Sequence, residues 1–164
     1  MTRHTEVRVR RAGLTGPGIV LGIGLGAFID GIALHQIAQW HNMLSSSERW
    51  PVTTMDGMKA NMRADGLFHA FAFVVVLIGL WMLWNALRGG AYGGRALIGW
   101  MIVGFGLFNI IEGIIDHQIL GLHHVHEGSN ELAFDVGFLA LSIVLIAIGW
   151  LLARDRTPEI AKPS

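Results

Sequence analysis

The chain has 164 residues, of which 52% are apolar and 15% charged, and its formal net charge is zero. Soluble domains average about a quarter charged residues, so this composition indicates an integral membrane protein in contact with the lipid bilayer. The balanced charge, with no basic stripe outside the termini, gives no indication of a nucleic-acid partner. Cysteine is absent, which excludes disulfides, thiolate nucleophiles and thiolate metal ligands.

Apolar stretches long enough to cross a bilayer occur four times, since a spanning helix needs about 20 residues. We therefore predict an all-α transmembrane four-helix bundle that forms a single membrane domain over residues 1–153, followed by a disordered tail over 154–164. No convincing internal duplication is recognised. The predicted spans are approximately 16–39, 65–87, 96–119 and 132–153.

Two local patterns refine these helices. Thr53, followed by Asp56 three residues later, resembles a capping box, so the second helix is expected to begin before the membrane. Gly18, Gly22 and Gly26 recur every four residues in the first span. Such ridges of small residues let membrane helices approach closely, and we interpret this one as a helix-packing surface.

Basic residues predict the orientation. Nine of the 12 Lys and Arg residues lie at the termini or in the turn between spans two and three, and three lie in the loop between spans one and two. The excess of positive charge on cytoplasmic loops therefore places both termini in the cytoplasm. We expect a multi-pass protein of a bacterial cytoplasmic (inner) membrane.

Ionisable side chains within the spans gather toward the end of the bundle opposite to the termini, which the orientation makes extracytoplasmic. Charged groups are costly in hydrocarbon and usually mark a functional site. No Lys or Arg lies within the predicted spans to pair with the carboxylates, so these must protonate, pair with another group or coordinate cations. The eight residues are Asp30, His35, Asp65, His69, Glu112, Asp116, His117 and Asp135.

The residue types and spacing favour a metal site. Asp65 and His69 are four residues apart, so they share a helix face and could hold one ion together. Glu112 and Asp116 have the same spacing. Histidine with carboxylate suits zinc, copper or iron, and the number of candidates exceeds what one tetrahedral ion needs, so two or more ions are expected. The predicted ligands are Asp30, His35, Asp65, His69, Glu112, Asp116, His117, His123 and His124.

Three functions remain open. The favoured one is a metalloenzyme, hydrolytic or oxidative, with Asp135 or Glu112 as general base and a hydrophobic or membrane-borne substrate. The second is a protein that binds or handles copper or zinc, in which a stripe of methionines at positions 55, 58 and 62 collects metal. The third is a proton-relay or structural subunit of a membrane complex. The oligomeric state is not predicted.

Residues 28–37, 64–69 and 109–117 carry a resemblance to known proteins. These segments resemble a bacterial family of predicted four-span membrane proteins of unknown function, over nearly the whole chain except its termini. The resemblance implies the four-helix topology and no particular activity. Asp65 and His69 are also spaced like two ligands of the membrane copper site in particulate methane and ammonia monooxygenases. In residue types alone, the chain is similar to seven-span zinc hydrolases of the ceramidase and adiponectin-receptor kind.

Overall fold

The computed structural model describes residues 13–91 and 93–154, and within these ranges it contains helices and no strand. The first and third helices each end in a wider π-helical segment. The elements are α1 (Thr15–Asp30, continued as Gly31–Ala38), α2 (Met55–Arg88), α3 (Gly94–Glu112, continued as Gly113–Ile119) and α4 (Glu131–Ala153). Each is long and apolar enough to cross a membrane, so the predicted four-span, all-α fold is confirmed.

The main difference from the predicted boundaries is at the start of α2. This helix begins at Met55, ten residues before the apolar stretch, as expected from the capping pattern. The cap itself is Thr54 and not Thr53, because the hydroxyl of Thr54 accepts a hydrogen bond from the N–H of Gly57 at 3.1 Å. The basic N-terminal residues and the predicted tail, apart from Arg154, lie outside the described residues.

The two helices that end in π-helical segments form the centre of the bundle. Helix α1 packs against α3, while α2 packs on the outside of α1 and α4 on the outside of α3. In the most apolar stretch of α1, 50% of the residues are buried, against 11% in α2 and in α4. Most of the apolar surface of α2 and α4 is therefore left to face lipid.

Close packing of α1 on α3 depends on glycine. A Cβ atom at Gly22 would overlap the carbonyl of Met101, and one at Gly104 would overlap the carbonyl of Ile19. Gly18 and Gly26 of the predicted ridge also face α3, which confirms that the ridge is a helix-packing surface.

These contacts reveal an internal duplication that the sequence analysis missed. The residue pattern of α1 recurs in α3 after 82 residues, so that Gly22 corresponds to Gly104. The pattern of α2 recurs in α4 after 70 residues, so that Gly79 corresponds to Gly149. Equivalent positions also make equivalent contacts: Gly79 packs on Leu21 and Gly149 on Val103. The α1–α2 and α3–α4 hairpins are therefore two repeats related by an approximate twofold axis.

Candidate metal centre

A cluster of buried histidines and carboxylates lies where α1 and α3 end and where α2 and α4 approach them. Each hairpin contributes one carboxylate and two histidines at equivalent positions, and no member is more than 5% exposed. We call these six residues the central cluster: Asp30, His35, His41, Glu112, His117 and His123.

The π-helical segments bring each carboxylate to its histidine. Residues five apart are separated by about 1.4 turns of an α-helix, so they point in different directions. Hydrogen bonds from i to i+5 widen the turn and place such residues on one side. As a result, His35 Nε2 lies 3.2 Å from Asp30 Oδ2, and His117 Nε2 lies 3.3 Å from Glu112 Oε1.

The remaining two histidines come from the loops that follow these segments. The rings of His41 and His123 are stacked, with centroids 4.6 Å apart and an interplanar angle of 12°. His41 Nδ1 donates to the carbonyl of Val125 at 2.8 Å, and His123 Nδ1 donates to the carbonyl of Met43 at 3.3 Å. His123 Nε2 lies 3.1 Å from Glu112 Oε1, while His41 Nε2 has no hydrogen-bond partner among the described residues.

His41 is neutral in the folded protein. Burial is the main cause that lowers its pKa to about 3, and the neighbouring imidazoles of His123 and His35 add to the effect. A neutral imidazole that donates through Nδ1 keeps the lone pair of Nε2 free, which is the form that binds metal.

Asp65 orients the first hairpin's half of the cluster from outside. Its Oδ1 accepts from His35 Nδ1 at 2.9 Å and from the backbone N–H of Met43 at 2.8 Å. Its Oδ2 accepts from Asn42 at 2.7 Å and from Gln36 at 3.4 Å. Both oxygens are therefore used to hold the His35 ring and the following loop.

Asp135 occupies the equivalent place in the second hairpin. Its Oδ1 accepts from the backbone N–H of Val125 at 3.0 Å and lies 3.2 Å from His117 Nδ1. Its Oδ2 accepts from His124 Nδ1 at 2.7 Å and from Gln118 at 2.9 Å. The two outer carboxylates thus have the same kinds of partner, a histidine ring, a glutamine and the backbone of a loop.

Several buried polar atoms of the central cluster have no hydrogen-bond partner among the described residues. Such atoms are rare in proteins, and each calls for a specific explanation. Ligand atoms of the cluster also lie close enough to share an ion, in three overlapping groups whose ligand atoms are all within 4.8 Å of one another. The unpartnered atoms include Asp30 Oδ2, His35 Nε2, His41 Nε2 and Glu112 Oε2.

The predicted residues divide into those inside and those outside these three groups. Five predicted ligands belong to these groups: Asp30, His35, Glu112, His117 and His123. His41 also belongs to them, although it was not predicted as a ligand. The sequence signal that could have identified His41 is the repeat interval of 82 residues. This interval separates His35 from His117, and it also separates His41 from His123.

The other predicted ligands lie around the cluster. His69 donates through Nδ1 to the backbone carbonyl of Asp65 at 2.8 Å. His124 binds Asp135, and Asp116 is half-buried. None of these residues belongs to the three groups, and their ligand roles stay predictions.

The chain is similar to a known family of proteins. No curated protein and no solved structure is significantly similar to the chain. Residues 17–156, which include all four spans apart from the first two residues of α1, match the family described as "Predicted membrane protein (DUF2243)". The chain therefore belongs to this family of predicted membrane proteins.

Proposed function

We propose that this membrane protein binds two divalent transition-metal ions in the central cluster, with two histidines and one carboxylate from each hairpin, and that it is a metalloenzyme. One observation carries the proposal: buried imidazoles present Nε2 to the carboxylates of Asp30 and Glu112, while their Nδ1 atoms contact oxygens outside the cluster. Metal-binding histidines nearly always have such an outer partner, which fixes the tautomer and the ring orientation.

The tautomers favour a cation or a second proton at Nε2. A neutral ring that donates through Nδ1 has only a lone pair at Nε2. In His35 this lone pair would face Asp30 Oδ2 at 3.2 Å, and in His123 it would face Glu112 Oε1 at 3.1 Å. Two electron-rich atoms repel each other at that distance unless a metal ion or a proton lies between them.

Charge balance supports two ions. The buried carboxylates of the cluster and its outer shell are Asp30, Asp65, Glu112 and Asp135, which carry four negative charges when ionised. The predicted apolar spans contain no Lys or Arg, so two divalent cations would neutralise these carboxylates without another counter-ion.

The donor set suits zinc or iron, and copper in its divalent form. Two histidines and a carboxylate leave coordination positions for water and substrate, which is typical of catalytic sites. Bound zinc would supply an activated water for hydrolysis, and iron or copper would supply redox chemistry. We place the cluster at the extracytoplasmic side of a bacterial cytoplasmic membrane, on the distribution of basic residues.

The two candidates for general base have different surroundings. Both oxygens of Asp135 are held by donors, so we assign to Asp135 the orientation of His117, as we assign to Asp65 that of His35. Glu112 Oε2 has no hydrogen-bond partner among the described residues and is the better candidate for general base.

A proton relay is the second candidate, because the same histidine–carboxylate pairs lie at hydrogen-bond distance. Handling of metal by the methionine stripe has less support. Met55 and Met62 are 71% and 64% exposed, and they lie in the N-terminal part of α2, before its apolar stretch.

The test is to purify the protein in mild detergent without a His tag and to measure bound metals by mass spectrometry. We expect about two equivalents per chain, reduced to a similar extent in His41→Ala and His123→Ala. The control is His69→Ala, which removes a histidine outside the three groups. A metal-free but folded wild-type protein would contradict the proposal and favour the proton relay, and metal loss in His69→Ala would restore His69 as a ligand.

A further inference from the structure

A cleft of about 590 Å³ lies between the N-terminal turns of α2 and the loop that precedes this helix. The helix contributes Asp56, Lys59 and Arg63 to its lining, and the loop contributes Trp50. Next to this tryptophan is Arg49, whose Cζ lies 5.1 Å from the centre of the Trp50 ring. The three basic residues between spans one and two are therefore gathered around one cleft.

The positive charges that line the cleft are not neutralised by ion pairs. Lys59 and Arg63 are exposed, and neither forms an ion pair among the described residues, where every ion pair involves a histidine. Asp56 is the one carboxylate in the lining, so cations outnumber anions there by two to one. A cleft of this charge favours an anionic ligand, and phosphate is an anion that both Arg and Lys bind well.

The loop wall of the cleft is fixed on α2. Asn61, which is fully buried, donates from Nδ2 to the carbonyl of Trp50 at 3.0 Å and accepts from the N–H of Leu44 at 2.9 Å. One turn earlier, a Cβ atom at Gly57 would overlap the carbonyl of Pro51, so the loop lies directly on the helix. The tryptophan wall and the basic side of the cleft are therefore held at a set separation.

The cleft lies at the boundary of the apolar stretch of α2. Leu67 lines its end nearest the span and is 73% exposed. Exposed apolar side chains continue along the same face into the span, at Phe71, Val74 and Ile78, because residues three and four apart share a helix face. Tryptophan, here Trp50, is typical of the membrane–water interface. Basic groups at the head of an exposed apolar stripe match a molecule with an anionic head and a hydrocarbon chain.

The duplication shows that the fold does not require these cations. The interval of 70 residues relates Lys59 to Ser129 and Arg63 to Ala133. Helix α4 begins only at Glu131, so the second hairpin has no helical extension of the same length. The basic cleft is thus a feature of the first hairpin alone, which indicates a role other than maintaining the bundle.

We propose that this cleft binds an anionic phospholipid. Its phosphate would lie between Lys59 and Arg63, and an acyl chain would follow the apolar stripe that starts at Leu67. A lipid fits better than a free anion because the cleft opens onto that stripe. The proposal depends neither on the metal centre nor on which side of the membrane the cleft faces.

The experiment uses native mass spectrometry of the full chain in mild detergent, titrated with phosphatidylglycerol or phosphatidylcholine of identical acyl chains. Both lipids carry a phosphate, but only phosphatidylglycerol has a net negative charge. We expect the first phosphatidylglycerol to bind about tenfold more tightly than the first phosphatidylcholine. The double variant Lys59→Gln/Arg63→Gln should lose this preference. The matched control, Arg88→Gln/Arg154→Gln, removes two charges at the opposite end of the bundle and should keep it.

A preference that survives Lys59→Gln/Arg63→Gln, or that is lost in the control instead, would overturn the proposal. Lys59→Arg should keep the preference, and Asp56→Asn should strengthen it, because the one repelling carboxylate of the lining is removed. These two variants test the cleft independently if the double variant does not fold. Glycerophosphoglycerol, the head group without acyl chains, should not displace the lipid at equal concentration. Displacement would identify the ligand as a free anion and contradict the role of the stripe.

Discussion

His41 and His123 stack face to face across the approximate twofold axis, with ring centroids 4.6 Å apart. Each ring also donates a hydrogen bond to a backbone carbonyl of the other hairpin's loop, at Val125 and at Met43. The contact that joins the two loops is thus the contact that fixes two Nε2 atoms in the cluster.

Acid should destabilise the metal-free protein through His41. Its pKa falls from 6.5 to about 3 on folding, so between these values the unfolded chain binds more protons than the folded one. The stability from this group is therefore complete above pH 6.5 and is lost as the pH falls toward 3. At about pH 5 we expect a loss of about 2 kcal/mol, measured by unfolding in detergent. His41→Gln should show a correspondingly shallower pH dependence, and an unchanged slope would contradict the assignment.

Removing the charge of an outer carboxylate should weaken metal binding without abolishing it. In Asp65→Asn or Asp135→Asn the ligand set is intact, but His35 loses the carboxylate that accepts from its Nδ1, and His117 loses the negative charge 3.2 Å from its Nδ1. We expect affinity to fall roughly 10- to 100-fold, by similar factors in the two variants, in titrations against a competing chelator. Asp116→Asn is the matched control. An equal loss of affinity in that control would show that charge alone, and not orientation, is responsible.

Alanine at the crossing of α1 and α3 should destabilise the bundle. The added Cβ of Gly22→Ala would overlap the carbonyl of Met101, and that of Gly104→Ala the carbonyl of Ile19. Overpacking of this kind costs about 1–3 kcal/mol, and the duplication predicts similar costs at the two sites. Gly66→Ala, where no atom lies within 4 Å, should be neutral or stabilising by up to about 1 kcal/mol. Thermal unfolding of the three variants tests this, and full stability of Gly22→Ala would refute the packing role.

Labelling of single cysteines tests the orientation. The natural chain has no cysteine, so each introduced thiol reports alone. Glu48→Cys lies in the loop between α1 and α2, and Gly89→Cys lies at the opposite end, just after α2. In intact cells a membrane-impermeant maleimide should label the first and not the second. The reverse pattern would place the central cluster on the cytoplasmic side.

The helices could be predicted from sequence because membrane spans are defined by length and apolarity alone. The predicted ends agree with the structure within a few residues, except for the start of α2 at Met55, where the helix continues outside the apolar stretch. The choice of Thr54 over Thr53 as the cap depends on backbone geometry and could not be decided from the pattern.

Ligand pairing could not be predicted because it depends on the π-helical segments. An α-helical spacing pairs Glu112 with Asp116, whereas the wider turn pairs Glu112 with His117, five residues on. The duplication, in contrast, is visible in the sequence, because residues 30–37 read DGIALHQI and residues 112–119 read EGIIDHQI.

The two repeats have already diverged at the cluster. Asp30 is one methylene shorter than its counterpart Glu112, and Asn42 stands where the second hairpin has His124. If two ions bind as proposed, their positions have unequal carboxylates and unequal surroundings, and hence unequal chemistry. Substitution at one position would then change its chemistry while the His41 and His123 contacts continue to join the loops, so the duplication would let the site change without loss of the fold.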